Sequence, residues 1–149
     1  MLAVEPIIID KYVRQGQVNL VFRAVLNHGE RSIRTSEAAA CAGLQGQFWQ
    51  MHELLFQRQR DVPRGDGAAL VAGMQQFAAA LPDLDQAAFS TCLTERTTLQ
   101  HVQATDAEQR TRGIVRQPIF DISGPGGSQR LVGLPSVEAL SAAIDKAAG

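Results

Sequence analysis

Apolar side chains recur at three- and four-residue spacings through most of this chain, a pattern typical of amphipathic helices. The segment "QFWQMHELLFQRQ" shows it best, with Phe48, Met51 and Leu55 on one side. Breakers such as Pro82 and cap residues such as Ser136 divide the pattern into separate helices. Helices are predicted over residues 6–15, 32–43, 47–59, 68–81, 83–95 and 98–112, and from Ser136 onward.

Two other segments have the composition of strands. Residues 18–26, "VNLVFRAVL", form a dense β-branched and apolar run, which predicts a strand covered on both faces. Residues 118–123 and 130–134, joined by "GPGGSQ", predict a β-hairpin. Pro118 at its start is either an ordinary first strand residue or part of a cis bond in a tight bend, and the general rarity of cis bonds favours the former. The order of elements predicts an α/β domain with a helical block in its middle.

Composition excludes several classes of function. The chain has 149 residues, of which 45% are hydrophobic, enough for one domain with a real core. Fourteen basic and fifteen acidic residues give a net charge of −1. The charge therefore gives no indication of a basic surface that would bind nucleic acid. The apolar run "PIII" near the N-terminus is too short for a signal peptide or a membrane span.

Few residues have the spacing of a reactive site. His28, His52 and His101 share no ligand spacing, so no metal site is expected. The glycine-rich residues 123–128 lie between two predicted strands, which favours a hairpin turn over a phosphate-binding loop. The segment 134–138, "LPSVE", lacks the flanking glycines of a nucleophile elbow. No catalytic residue and no cofactor is assigned.

Cys41 and Cys92 are the two cysteines of the chain, and they form no C-x-x-C motif. Both are predicted on apolar helix faces. A structural disulfide and a pair of free buried thiols are both open alternatives, because pairing does not follow from sequence alone. A redox role is the least favoured, since neither residue lies at a helix N-terminus, where a thiolate would be stabilised.

Four segments together resemble a known family. They are "EPIIIDKYVRQGQVNLVFRAVLNHGERS", "AAACAGLQGQFWQMHELLFQ", "FSTCL" and "GIVRQPIFDISG…LVGLPSVEALSAAID". In this order they resemble the DsbA-like branch of the thioredoxin fold over nearly all 149 residues. The resemblance implies a single domain, with a thioredoxin-like core at 1–30 and 113–149 and a helical insert at 31–112.

The same resemblance implies the chemistry of protein thiol–disulfide exchange. It makes a cis Pro118 the expected form, and it places Gln117 and Pro118 in a groove that binds protein or peptide substrates with cysteines. Gln117 stands where the family usually has threonine or valine. A structural disulfide between Cys41 and Cys92 matches bridges of some extracytoplasmic relatives, and family habit indicates the cell envelope or periplasm.

The catalytic C-x-x-C of the family is absent from this chain. By the resemblance, Met1 falls inside the helix that should follow it, so the core is expected to be incomplete, with its first strand missing by N-terminal truncation. The chain as given is then expected to be redox-inactive, or to be a redox-silent binding module that uses the Pro118 groove. Without a central strand, two apolar strands would expose unpaired edges, which predicts self-association.

Overall fold

The computed structural model describes residues 3–65 and 67–149. Within those ranges it contains seven α-helices and one two-stranded sheet. There are two compact units, one formed by residues up to 22 together with 114–149 and the other by residues 23–113. In chain order the elements are α1 (Glu5–Ile8) with a π-helical continuation (Ile9–Val13), α2 (Glu30–Gly43), α3 (Phe48–Gln57), α4 (Gly67–Ala78), α5 (Gln86–Thr94), α6 (Leu99–Thr111), β1 (Ile119–Gly124), β2 (Gly127–Val132) and α7 (Val137–Ala148).

The hairpin unit is organised by the alternation of side chains along its strands. Phe120 and Ile122 of β1 and Leu131 of β2 are partly buried and pack against a cluster that contains Leu140 and Ile144 of α7. Successive strand residues point to opposite faces, so one face of the hairpin is packed and the other is exposed.

Helix α1 and its π-helical continuation complete this unit. Val4, Ile8 and Tyr12 are buried in the same cluster. The Tyr12 hydroxyl also donates a 2.8 Å hydrogen bond to the carboxylate of Asp145 on α7. The sequence predicts a helix over 6–15; the structure has a short α-helix that widens into a π-helix, as the 2.9 Å bond from Arg14 N–H to the Ile9 carbonyl shows.

The turn of the hairpin lies directly on the end of α7. The predicted turn covered residues 124–129, but β1 extends to Gly124 and β2 begins at Gly127, so only two residues connect the strands. Gly126 N–H donates a 2.8 Å hydrogen bond to the Ala147 carbonyl. A Cβ at Gly126 would overlap the Lys146 carbonyl oxygen, which explains why glycine is needed there.

The helical unit packs five helices, α2 to α6, around an apolar core. Its Asp85 side chain accepts hydrogen bonds from the Ala87 and Ala88 amides and so caps α5, two residues after Asp83, where the sequence predicts the start of this helix. Ser136 likewise caps α7 in the other unit. Among the residues of the helical core that are at most 2% exposed are Ala38, Cys41, Ala42, Met51, Leu70, Met74, Phe77, Ala78, Phe89 and Leu93.

The strand predicted over residues 18–26 is not present. This segment has no regular secondary structure, and β1 and β2 are the strands of the described ranges. Exposure nevertheless alternates from Val18 to Ala24, with Val21 62% exposed. Alternating exposure indicates that successive side chains point to opposite sides, as they do in a strand. A strand also needs a hydrogen-bonded neighbour, and the described residues supply none for this segment.

The other helices lie within a few residues of their predicted bounds. Differences of this size arise because helix ends depend on caps and final turns. Met1, which the family resemblance places inside the first helix, lies outside the described residues.

Candidate functional site

The loop before β1 brings Gln117 and Pro118 to the surface of the hairpin unit. The peptide bond between these two residues is cis. Gln117 is exposed, whereas Pro118 is partly buried and its carbonyl oxygen accepts a 2.9 Å hydrogen bond from the Gly133 amide. This bond lies next to the Ile119–Val132 pair of the ladder. The loop is therefore fixed to the end of β2.

The surface beside this loop changes from apolar to charged. Val132 and Leu134, on either side of Gly133, are 73% and 57% exposed. Two residues before Val132 and on the same strand face, Arg130 donates hydrogen bonds of 2.6 and 2.9 Å to its cross-strand partner Asp121. The hydrogen bond to Asp121 raises the pKa of Arg130 above its ordinary value, although desolvation opposes the shift. Exposed apolar side chains with a polar rim are typical of binding surfaces.

Cys41 and Cys92 form a disulfide bond in the helical unit. Their Cα atoms are 5.9 Å apart, and the bond joins the last turn of α2 to α5. Cys41 is 1% exposed and Cys92 is 8% exposed. The Thr98 hydroxyl lies 3.6 Å from the Cys41 sulfur. Of the alternatives that the sequence left open for these cysteines, the structure contains the disulfide.

A buried carboxylate lies one helical turn before Cys41. Glu37 of α2 is fully buried, and Arg96 donates to its two oxygens at 3.2 and 3.1 Å. Arg34 Nη1 lies 3.4 Å from the same carboxylate. The hydrogen bond to Glu37 raises the pKa of Arg96 above its ordinary value, against the effect of desolvation. Sequence analysis missed this pair, because the two residues are 59 positions apart.

Asp106 of α6 fixes the backbone at Leu26 within the helical unit. Its carboxylate accepts a 2.8 Å hydrogen bond from the Leu26 amide and a 2.7 Å bond from Arg110. Desolvation acts to raise the pKa of Asp106, but the bonds from Arg110 and Leu26 outweigh it, so this pKa lies below its ordinary value of 3.8. The segment at Leu26 is thus fixed by a charge-assisted contact.

The three histidines have different surroundings. His28 precedes α2 and is exposed, His101 on α6 is exposed, and His52 of α3 is 5% exposed. The His52 ring centroid lies 5.9 Å from that of Phe48 and 4.8 Å from that of Phe56. No group of three or more His, Cys, Asp or Glu side chains among residues 3–65 and 67–149 could hold a metal ion.

Comparison with protein families decides the assignment. A family model described as "Thioredoxin" matches residues 2–146, nearly the whole chain. The chain belongs to the thioredoxin family. No curated protein and no solved structure gave a significant match. The thioredoxin-like α/β fold with a helical block, predicted from the sequence, is confirmed.

Membership of the thioredoxin family indicates disulfide oxidoreductase chemistry on protein substrates. In this thioredoxin-family chain the predicted site residues occupy different units: Gln117 and Pro118 belong to the hairpin unit, and Cys41 and Cys92 to the helical unit. The structure joins the two cysteines to each other. None of the helices in the described ranges has both the length and the apolar character needed to cross a bilayer.

Proposed function

We propose that this chain is of the DsbA-like branch of protein thiol–disulfide oxidoreductases and that it contributes substrate binding rather than disulfide exchange. Enzymes of this class pass a disulfide to substrate thiols through a mixed disulfide, so that the substrate is oxidised and the enzyme dithiol is formed. The binding surface is the loop at Gln117 and Pro118 together with the exposed Val132 and Leu134.

The observation that carries the second half of the proposal is the burial of both cysteines. Exchange requires a thiolate to approach one sulfur of the disulfide, and Cys41 and Cys92 are at most 8% exposed. Neither lies at the N-terminus of its helix, where a low thiol pKa would favour attack. The disulfide is therefore a structural crosslink of the helical unit.

Substrate binding is supported by the shape and chemistry of the loop surface. An extended peptide is recognised through backbone pairing and through contacts with every second side chain. The exposed loop offers backbone groups beside Gln117, and Val132 and Leu134 offer apolar contacts next to Gly133. The Asp121–Arg130 pair forms a charged boundary on the Val132 side.

Two measurements test the proposal. Insulin reduction and thiol oxidation by the chain should stay at the glutathione background, and Cys41→Ala/Cys92→Ala should change neither. Titration with a ten-residue peptide that carries one S-methylated cysteine should shift the amide resonances of residues 115–117 and 132–134 in NMR spectra. Val132→Glu should weaken this binding. The control Val21→Glu replaces another exposed valine of the same unit and should leave the binding unchanged. Exchange activity that depends on Cys41, or binding unaffected by Val132→Glu, would contradict the proposal.

A redox-silent peptide-binding module is the second candidate, favoured by the inaccessible disulfide. The two functions differ in what the surface prefers. A substrate-binding surface of the oxidoreductase branch should bind the cysteine-containing peptide more tightly than the same peptide with alanine in that position. A binding module should bind the two equally.

A further inference from the structure

The Cys41–Cys92 disulfide is accompanied by an ion pair between the same two parts of the helical unit. Glu37 lies one helical turn before Cys41 on α2, and Arg96 lies four residues after Cys92, just past the end of α5. Facing residues of antiparallel helices are related in this way, because a step back along one helix matches a step forward along the other. The disulfide and the ion pair are therefore successive contacts of α2 with the end of α5.

The ion pair has a defined geometry. Arg96 Nε and Nη2 donate to the two carboxylate oxygens of the fully buried Glu37 at 3.2 and 3.1 Å. Such a two-point contact between planar groups fixes direction as well as distance. Nearby, Arg34 Nη1 donates to the Leu93 carbonyl at 3.2 Å. The Thr98 hydroxyl donates to the Glu37 carbonyl at 3.4 Å. Polar contacts thus join α2 to the end of α5, and to the residues just after it, independently of the disulfide.

The backbone at Arg96 has a conformation that arginine disfavours. Within residues 3–65 and 67–149, Arg96 is the one residue other than glycine with a positive φ, 57°. It occupies the position after a helix end where glycine is usual, and the Thr97 amide closes the turn with a 3.0 Å hydrogen bond to the Cys92 carbonyl. A residue held in an unfavourable conformation points to a role for its side chain. Here that side chain binds Glu37.

Apolar packing gives weak control over how far α2 slides along α5. Apart from Glu37 and Cys41, the buried residues of α2 are the three alanines Ala38, Ala39 and Ala42. Burial of apolar surface is not directional. Alanine side chains are also too short to form the deep ridges that interlock packed helices. Fixing register is the best-attested use of buried ionic groups, and this is the control that the alanine face lacks.

The register of α2 against α5 decides whether the two sulfurs can meet. The Cα atoms of Cys41 and Cys92 are 5.9 Å apart. A slip of one helical turn, about 5.4 Å along the axis, would increase this separation to about 8 Å. A disulfide cannot form at a Cα separation beyond about 7 Å without backbone movement. An error of one turn would therefore prevent the bond.

We propose that the Glu37–Arg96 pair is a positioning device for the disulfide. The pair fixes the register of α2 against α5 in the reduced chain, so that Cys41 and Cys92 are oxidised after their helices have docked. The bond is then added to a folded helical unit and is not needed to form it. This inference does not rest on the proposed function.

The oxidation uses a small disulfide, for which glutathione disulfide is the test reagent. Cys92 is the more exposed cysteine, at 8% against 1% for Cys41. Its thiolate attacks glutathione disulfide, forms a mixed disulfide and releases one glutathione. The Cys41 thiolate then attacks the Cys92 sulfur and releases the second glutathione. The two cysteines lose two electrons, and their two protons end on the two glutathione thiols.

The effective concentration of the two thiols in the folded chain tests the proposal. The full chain is equilibrated with set ratios of glutathione and glutathione disulfide, and bonded and free cysteines are counted after alkylation. Arg96→Gly should lower the effective concentration at least about tenfold. This variant removes the guanidinium group but gives the left-handed position its preferred residue, so it should fold. Circular dichroism of the reduced native chain should show a cooperative helical unit, and an unfolded reduced chain would contradict the proposal.

Asp106→Asn separates positioning from general stability. Asp106 belongs to the same unit, but its partners are the Leu26 amide and Arg110 rather than the segments with the cysteines. The oxidised and reduced folded forms lose the same contact in this variant, so its effective concentration of thiols should equal that of the native chain. An equal decrease in Asp106→Asn and Arg96→Gly, or no decrease in Arg96→Gly, would overturn the proposal.

A double-mutant cycle checks that Glu37 and Arg96 act as one unit. Glu37→Gln, Arg96→Gly and the two changes together should lower the effective concentration of thiols by similar factors, because each removes the same contact. Arg96→Lys keeps the charge but cannot make the two-point contact, so it should retain more of the effective concentration than Arg96→Gly and less than the native chain. Fully additive losses in the double variant would show that the two residues act separately and would contradict the proposal.

Discussion

Replacing Cys41 and Cys92 together by alanine removes the covalent tie between α2 and α5. The bond spans a sequence separation of 51 residues. In the chain-entropy model its loss raises the conformational entropy of the unfolded chain, which lowers the free energy of unfolding by about 4 kcal/mol at 25 °C. For a protein of 149 residues this corresponds to a melting temperature lower by about 10 °C. The native chain with the disulfide should therefore have a clearly higher free energy of unfolding than the double variant without it.

Urea titration followed by Trp49 fluorescence measures this effect in the helical unit, where the tryptophan lies. The double variant should unfold at lower urea with a higher m-value, because an uncrosslinked unfolded chain exposes more surface. Native protein treated with a reductant that reaches the unfolded state should behave like the variant. A stability loss below about 1 kcal/mol would refute the entropic reasoning. Two titratable thiols in the denatured, non-reduced native chain would show that the bond is absent.

Two substitutions and one pH dependence test further contacts. Glu37→Gln should lower the free energy of unfolding by about 3 kcal/mol, because it breaks a fully buried carboxylate's contacts with the partly buried guanidinium groups of Arg34 and Arg96. Gly126→Ala should cost about 2 kcal/mol, since the new Cβ overlaps the Lys146 carbonyl oxygen. The pKa of Asp106 is lower in the folded than in the unfolded state, so its contribution is complete above its ordinary value of 3.8 and is lost as the pH falls through the folded pKa.

Each of these predictions has a matched control. Glu30→Gln removes a carboxylate that is 41% exposed and should cost less than about 1 kcal/mol in urea titrations. Ser128→Ala lies on the exposed face of the same hairpin as Gly126 and should be nearly neutral. In acid titrations Asp106→Asn should remove part of the stability loss below pH 3.8. An equal loss for Glu37→Gln and Glu30→Gln, a neutral Gly126→Ala, or an unchanged acid profile would contradict the respective argument.

The elements that sequence predicted well are those with local physical causes. Ser136 caps its helix through a bond to the amide three positions away, so this cap is visible in the sequence itself. The hairpin is marked by its glycine-rich turn and by alternating strands. The absence of a strand at 18–26 could not be foreseen in this way, because a strand depends on a partner as well as on its own residues.

The candidate sites were predictable only in part. Gln117 and Pro118 stand out through a family motif, whereas the pairing of Cys41 with Cys92 depends on how two helices pack. The buried Glu37 lies in an alanine-rich helix, and although Arg34 is a local partner, the contact of Arg96 with both carboxylate oxygens comes from 59 positions away and has no local pattern. A cleft lined by Gly43, Leu44 and His101 depends on how three helices pack, which no single segment of the sequence reveals.

The Cys41–Cys92 bond also determines what happens if the backbone is cut. The exposed Arg64 lies in the connection between α3 and α4, so a trypsin cleavage after it would divide the chain between the two bonded cysteines. The disulfide would then hold the two fragments together under non-reducing conditions, and reduction would separate them. The same connection is a natural place for new chain termini in a circular permutant, because the helical unit would keep a covalent path from α2 to α5.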